Sequence, residues 1–260
     1  MNSGSLQEEI LALWGSSLTR DFGVLHVTAV GRTPDGGLAV LRIGPGSPPS
    51  ATDFFALSVA RARADAIITT GSILRSESEV DHDPGPELRA WRRKVLGKET
   101  PPKVVILTRG KDLPLEHPAL KSPNVIIATD RSRAGDIEPL LHQRGIEVLS
   151  LTEASLRCLC TELRERGMGT VCVETGPSTS TSLYSEPMLV DELMLSIFEE
   201  ETLSETQVAG RFLDEAVLEQ RFGAPSHEVR RSEKSGSWRF LRFVAANAAE
   251  TLATTRDEEF

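Results

Sequence analysis

Two short segments, Lys103-Val-Val-Ile-Leu-Thr-Arg and Asn124-Val-Ile-Ile-Ala-Thr-Asp, are apolar without alternation and follow directly on prolines. A strand with one wet face alternates apolar and polar residues, whereas a strand that is apolar throughout has to be covered on both faces. The pair therefore predicts a largely parallel sheet with helices packed over it. Asp65-Ala-Ile-Ile-Thr-Thr and Thr170-Val-Cys-Val-Glu read as further strands of the same kind.

The intervening segments supply the rest of an α/β alternation. Helices are predicted over 6–18, 53–64, 87–96, 137–143, 152–166 and 214–220, with Thr52 or Asp53 capping the second and Gly167 closing the fifth. Residues 147–149 and 191–198 read as strands. Residues 24–30 and 38–43 form a hairpin across Thr-Pro-Asp-Gly-Gly, because Asp-Gly suits a tight turn, and 227–233 with 238–244 form a closing hairpin. The polar, proline-rich stretch 76–102 is expected as an active-site insertion or surface flap. The expected organisation is an N-terminal helical extension over 1–21, one domain over 22–245, and a frayed acidic tail over 246–260.

A chain of 260 residues with 39% hydrophobic side chains can bury a full core. Its net charge of −9 excludes a broad surface for nucleic acid or anionic membrane, so any phosphate must be met by a local pocket. The sequence has no apolar run near the roughly 20 residues that span a bilayer and no basic, then apolar, leader; a cytoplasmic protein without a membrane partner is expected. Cys158, Cys160 and Cys172 lack Cys-x-x-Cys spacing and read as reduced core residues. No metal is expected: Asp81-His82-Asp83 cannot turn three adjacent side chains onto one ion, and a solvated loop is the simpler reading. Nucleophile-elbow, P-loop and His-Glu-x-x-His patterns are absent.

The chemistry concentrates in 171–184, Val-Cys-Val-Glu-Thr-Gly-Pro-Ser-Thr-Ser-Thr-Ser-Leu-Tyr, where a strand meets a Gly-Pro turn and a hydroxyl-rich helix start. Gly176 has no Cβ to hold an anion off the backbone, Pro177 suits a first helical turn, and Ser178 to Thr181 present amides and hydroxyls. The segment is either a plain helix cap or a cradle for a nucleotide pyrophosphate.

In order along the chain, Asp35-Gly36, Arg63-Ala-Asp-Ala-Ile-Ile-Thr-Thr-Gly-Ser-Ile-Leu, Pro102-Lys-Val-Val-Ile-Leu-Thr-Arg, Val173-Glu-Thr-Gly-Pro and Leu189-Val-Asp-Glu-Leu make a recognisable set. Over about 22–245 the chain resembles the reductase domain of the bifunctional riboflavin-biosynthesis deaminase/reductase, a member of the dihydrofolate-reductase-like family. The resemblance implies a mixed, mainly parallel sheet flanked by helices with a C-terminal antiparallel hairpin, NADPH lying across the strand C-terminal ends, and a homodimer. It implies a phosphorylated small-molecule substrate, a ribosylamino-pyrimidine reduced at the sugar C1′. The deaminase zinc signature is absent from this chain.

Set against the residues, the resemblance implies cofactor contacts for Gly71, Ser72, Thr108, Arg109, Glu174, Thr175, Gly176, Pro177 and Ser178, with Thr108 and Arg109 at the 2′-phosphate. Without the resemblance Gly71-Ser72 reads as a helix cap before it reads as a cofactor contact, Arg109 reads also as a solvated arginine, and Glu174 as a carboxylate that either orients the Gly turn or sits at the sheet edge. Two departures fall on the substrate side. Thr33 stands at the serine of the family's Ser-Leu-Asp-Gly motif, with Asp35 kept. The first carboxylate of Thr-Val-Leu-Ala-Asp-Asp-Pro is Ser76, which leaves Glu77. Asp35 and Glu77 are then the expected catalytic carboxylates, Asp35, Ser76 and Arg75 the substrate contacts, and Arg61, Arg75, Arg92 and Arg93 the cations open to the substrate phosphate.

Overall fold

The structure is a computed structural model and describes residues 3–21, 23–44, 46–109, 113–200 and 203–246. The expected frayed tail lies, from residue 247 onward, outside the described residues.

Eleven strands form one sheet: β1 (Gly23–Arg32), β2 (Leu38–Leu41), β3 (Ala66–Thr70), β4 (Lys103–Leu107), β5 (Val125–Asp130), β6 (Glu147–Leu151), β7 (Thr170–Val173), β8 (Glu192–Phe198), β9 (Val208–Arg211), β10 (His227–Glu233) and β11 (Gly236–Val244). Their order is β10-β11-β8-β1-β7-β3-β4-β5-β6. Every neighbouring pair from β8 to β6 is parallel, while β8, β11 and β10 pair antiparallel, so the mixed, mainly parallel sheet and the closing hairpin are both present. The long first strand forks the sheet: one edge of β1 pairs β7 near its start and β2 near its end, and β2 takes β9 on its outer side.

Among the described residues there are eight α-helices, α1 (Ser3–Trp14), α2 (Ala51–Arg63), α3 (Gly71–Ser76), α4 (Pro86–Leu96), α5 (Arg131–His142), α6 (Leu156–Glu165), α7 (Pro177–Ser180) and α8 (Glu215–Phe222), together with 3-10 helices at Pro118–Lys121, Thr181–Tyr184 and Glu205–Gln207. One sheet face buries Ile68, Val105, Val171 and Leu195 with Leu159 and Leu163 of α6 and Leu218 of α8. The other buries Leu25, Ile67, Cys172 and Met194 with Ile10, Val59 and Trp91 of α1, α2 and α4. Strand runs that are apolar at every position find a hydrophobic layer on each side, as their pattern requires.

Several expectations needed correcting. Helix α1, read as an extension, buries Leu6, Ile10, Leu13 and Trp14 in the main core and ends at Gly15, whose φ of 64° stops it. The cap of α2 is Ser50, whose hydroxyl accepts from the Asp53 amide at 2.9 Å, rather than Thr52 or Asp53. Helix α5 begins at Arg131, six residues before the expected start, because Asp130 caps it. Two elements were not anticipated. Helix α3 is only six residues long, and β9 has no apolar period of its own; the open edge of β2 recruits it. The Asp81-His82-Asp83 loop is not simply solvated, since His82 is buried. Of the cysteines, Cys160 and Cys172 are buried and all three are free thiols. No helix among the described residues is long and apolar enough to cross a membrane.

Candidate functional site

Because β3, β4, β5, β6 and β7 run parallel, their C-terminal ends open on one edge of the sheet, and the residues that follow each strand meet there. Gly71 and Ser72 follow β3, Thr108 and Arg109 follow β4, Asp130 ends β5, Thr152 follows β6, and Glu174 to Ser178 follow β7. Arg109, Asp130, Arg131, Ser132, Thr152 and Glu153 line a cleft of about 680 Å³ along this edge.

At the β3 end, the cap of α3 is Thr70, whose Oγ1 accepts from the Ile73 amide at 3.3 Å, so the exposed Ser72 hydroxyl is not used as the cap. A Cβ on Gly71 would stand 3.1 Å from Thr108 Oγ1. Glycine thus eases the close approach of two strand ends, a packing reason the sequence alone did not expose. Gly176 is the opposite case. Its φ of −62° suits any residue, and nothing in the structure lies within 4 Å of where a Cβ would point. The space above that turn is open to a ligand.

The turn is closed beneath. Thr179 and Ser180 amides both donate to the Gly176 carbonyl, at 3.0 Å each, and Pro177 is buried under β9, where a Cβ on Gly210 would meet it at 3.0 Å. Helix α7 is a single turn that runs on as 3-10 helix through Tyr184, so its first amides, which have no acceptor within the helix, matter more than a long-helix dipole. Ser178 is exposed. Thr175 is 8% exposed, and its Oγ1 has no hydrogen-bond partner. A buried hydroxyl left unsatisfied calls for an explanation, and a ligand in this turn is one.

Glu174 neither orients the Gly turn nor stands free at the sheet edge. Arg61 of α2 holds it with Nε on Oε1 at 2.8 Å and Nη2 on Oε2 at 2.7 Å, both side chains being largely buried. Arg61 also donates from Nη1 to the Asp81 carbonyl at 2.8 Å, so its guanidinium is committed inside the protein and is not open to a substrate phosphate. Arg92 is likewise internal, tying the carbonyls of Ala62, Ala64 and Thr100. Arg75 and Arg93 are exposed; Arg93 lines a separate cavity of about 320 Å³ beside the segments that lead into β4 and β5.

Burial works to raise the Glu174 carboxyl, but the Arg61 guanidinium outweighs it and holds the group below the ordinary range. Glu77 is pushed the other way, by its own burial and by the Glu174 charge. His82 is 5% exposed, is held down by burial, and has no hydrogen-bond partner on Nδ1. His117 ties this group to the rest of the chain. Its Nδ1 accepts from the Ala119 amide at 3.1 Å, so Nε2 carries the proton and donates to the Glu77 carbonyl at 2.9 Å. The sequence did not single out His117, and it placed His82 in a solvated loop. The cluster is assembled from four separate segments, and only the fold brings them together.

The two expected catalytic carboxylates have different surroundings, Glu77 being half-buried in the cluster around Arg61. Asp35 is exposed in the β1–β2 turn, accepts from Thr33 Oγ1 and is ion-paired with Arg211 of β9. Ser76 turns its hydroxyl back to the carbonyls of Ser72 and Ile73 within α3, at 3.2 and 3.0 Å. Arg131, on the cleft beside Arg109, was missed altogether, although an arginine directly after a strand-ending aspartate carried the signal.

The model of the RibD C-terminal domain family matches residues 35–198, more than half of the sequence. The chain belongs to that family. Among solved structures, a pyrimidine reductase-like protein from Corynebacterium diphtheriae superposes with a TM-score of 0.64 at 19% identity, covering 91% of this chain and 98% of that one. RibD from Acinetobacter baumannii superposes with a TM-score of 0.58 at 18% identity, covering 88% of this chain. The chain spans 58% of that RibD. No curated protein matches the sequence. The two superpositions show that these proteins share the fold of this chain.

Proposed function

We propose that the chain is an NADPH-dependent reductase of the riboflavin-pathway type, reducing a 5-phosphoribosylamino-pyrimidine to its ribitylamino form. Membership in the RibD C-terminal domain family supports an oxidoreductase acting on a pyrimidine. The observation that carries the cofactor reading is the parallel-sheet edge, where an open Gly176 turn with an unsatisfied buried Thr175 hydroxyl shares one rim with a cleft bearing Arg109 and Arg131. The amides and hydroxyls of 175–178 suit a pyrophosphate, and the two guanidiniums suit a phosphate monoester. Bound there, a nicotinamide would supply the hydride. The protein's part is to hold the sugar carbon close to it and to deliver a proton, for which Glu77 is the available group.

Thr108 and Arg109 are assigned to the 2′-phosphate, Ser72 and 175–178 to the remainder of the cofactor, and Arg75 to the substrate phosphate, while Glu174, held by Arg61, is left to the substrate side. A homodimer in the cytoplasm completes the reading. Titration with NADPH and NADH, followed by NADPH consumption in the presence of the ribosylamino-pyrimidine phosphate, tests the proposal. Tight NADPH binding with turnover is expected. A second reading, a same-fold reductase for another carbonyl or imine, is favoured by one observation: Ser76, at the family's first carboxylate, spends its hydroxyl on carbonyls of its own helix α3. Cofactor oxidation with other small substrates but not with the pyrimidine would select it.

A further inference from the structure

The segment between α3 and α4, residues 77–85, lies as a flap over the end of β7, and Arg61 is the residue that joins the two. Its three nitrogens are all used: Nε and Nη2 on the two oxygens of Glu174, and Nη1 on the Asp81 carbonyl of the flap. Arg61 is 4% exposed, so these bonds are made out of water. Only a planar fork with donors on three sides can grip a carboxylate and a carbonyl at once; a lysine ammonium offers a single point. His117 holds the same flap at a second point, the Glu77 carbonyl.

We propose that Arg61 is the positioning residue of this reductase site, fixing the Glu174 carboxylate on β7 and the flap that carries Glu77 in one rigid arrangement so that the two glutamates act as a pair with unequal roles. The proposal rests on the reductase reading for what the pair does, and on the contacts of Arg61 for how it is held. The unequal roles follow from surroundings. Glu174 feels burial, the Arg61 guanidinium, and His82 from the flap, and stays ionised. Glu77 feels burial, the Glu174 charge, and Arg61, and keeps its proton to higher pH than an ordinary glutamate. His82, faced by Glu174, Arg61, Asp81 and His117, stays neutral through burial. Two carboxyls pushed apart in this way are suited to one donating a proton while the other carries charge. In the reduction, hydride adds to the imine carbon, the C=N π pair moves to nitrogen, and that nitrogen takes the proton Glu77 gives up.

Arg61→Lys keeps a charge in the buried site and loses the fork; Arg61→Met loses both. For Arg61→Lys the expectation is a fall in kcat of about 10- to 100-fold, the size of a misplaced reacting group, with NADPH affinity changed less than about twofold. The acid limb of the kcat/KM profile should hold its place in Arg61→Lys and move to higher pH in Arg61→Met, because Glu174 loses the charge that depresses it. The same shift should be visible without turnover, as a higher midpoint for the Glu174 carboxyl in a carbon-13 glutamate NMR titration assigned with Glu174→Gln. Amide exchange over 77–82 should accelerate in both Arg61 variants and stay near wild type in Glu174→Gln, where the bond to Asp81 remains. An unshifted Glu174 midpoint in Arg61→Met, or full kcat in Arg61→Lys, would overturn the proposal. A wild-type protein silent towards the pyrimidine but showing the NMR and exchange changes would instead refute the substrate and leave Arg61 in its place.

Discussion

At the scale of single residues, two glycines of one sheet edge are present for opposite reasons, and substitution separates them. Gly176 stands before Pro177 in extended backbone with open space where a Cβ would go, so Gly176→Val should fold with an unchanged Tm and lose NADPH binding in calorimetric titration. Gly71 has Thr108 Oγ1 3.1 Å from its Cβ position, and Gly71→Val should lower stability by about 1 to 3 kcal/mol in denaturant unfolding, the usual consequence of overpacking. Equal loss of stability in both variants would remove the open turn from the argument. Arg109→Ala should weaken NADPH by about 1.5 to 3 kcal/mol, the worth of hydrogen bonds to a charged group, and leave NADH nearly unaffected. The two carboxylates once expected to act together also divide. Glu77→Gln should reduce kcat/KM by about 10²-fold, whereas Asp35→Asn, which loses an exposed pair with Arg211, should change stability by less than about 1 kcal/mol and turnover little.

At the scale of elements, the strands were more legible than the helix ends. β4 and β5 could be recognised because fully apolar runs have a single stable use, and the β1–β2 hairpin because Asp-Gly turns leave little choice. Helix caps depend on which hydroxyl happens to face an amide, and several residues compete for each position. Helix α2 shows this. Ser50 caps it, and the Glu233 carboxylate of distant β10 accepts from Ser50 Oγ at 2.9 Å and from the Ala51 and Thr52 amides at 3.0 and 3.1 Å. Although burial raises the Glu233 carboxyl, these donors outweigh it and hold the group below its ordinary value. A depressed carboxyl stabilises the fold above its unfolded pKa, and that stability is lost as pH falls through the lower folded pKa. Glu233→Gln should therefore flatten part of the acid branch of the stability profile, and thermal melts between about pH 6 and pH 3 will detect it.

For the whole molecule, the charge that matters most is hidden. Glu192 of β8 is fully buried between Arg63 of α2, at 2.8 Å, and Arg242 of β11, at 2.6 Å, and joins a helix to the antiparallel side of the sheet. Removing one member of such a group leaves buried charge uncompensated, so Glu192→Gln should destabilise the protein by about 3 to 5 kcal/mol. Burial opposes ionisation of Glu192, but the two arginines depress its carboxyl, so its contribution too is present at neutral pH and lost on acidification. Chemical denaturation of the variant at neutral and acidic pH checks both statements. The sequence by itself determined the parallel sheet, the closing hairpin and the edge on which Arg109 and Gly176 lie, because strand pattern and turn chemistry are local properties of the chain. Tertiary structure alone decided that Arg61 belongs to Glu174 and the flap, that His82 is buried, and that Asp35 pairs with Arg211 of β9. Contacts between residues far apart in sequence arise from how the elements pack, and no local pattern encodes which distant charge a buried side chain will meet.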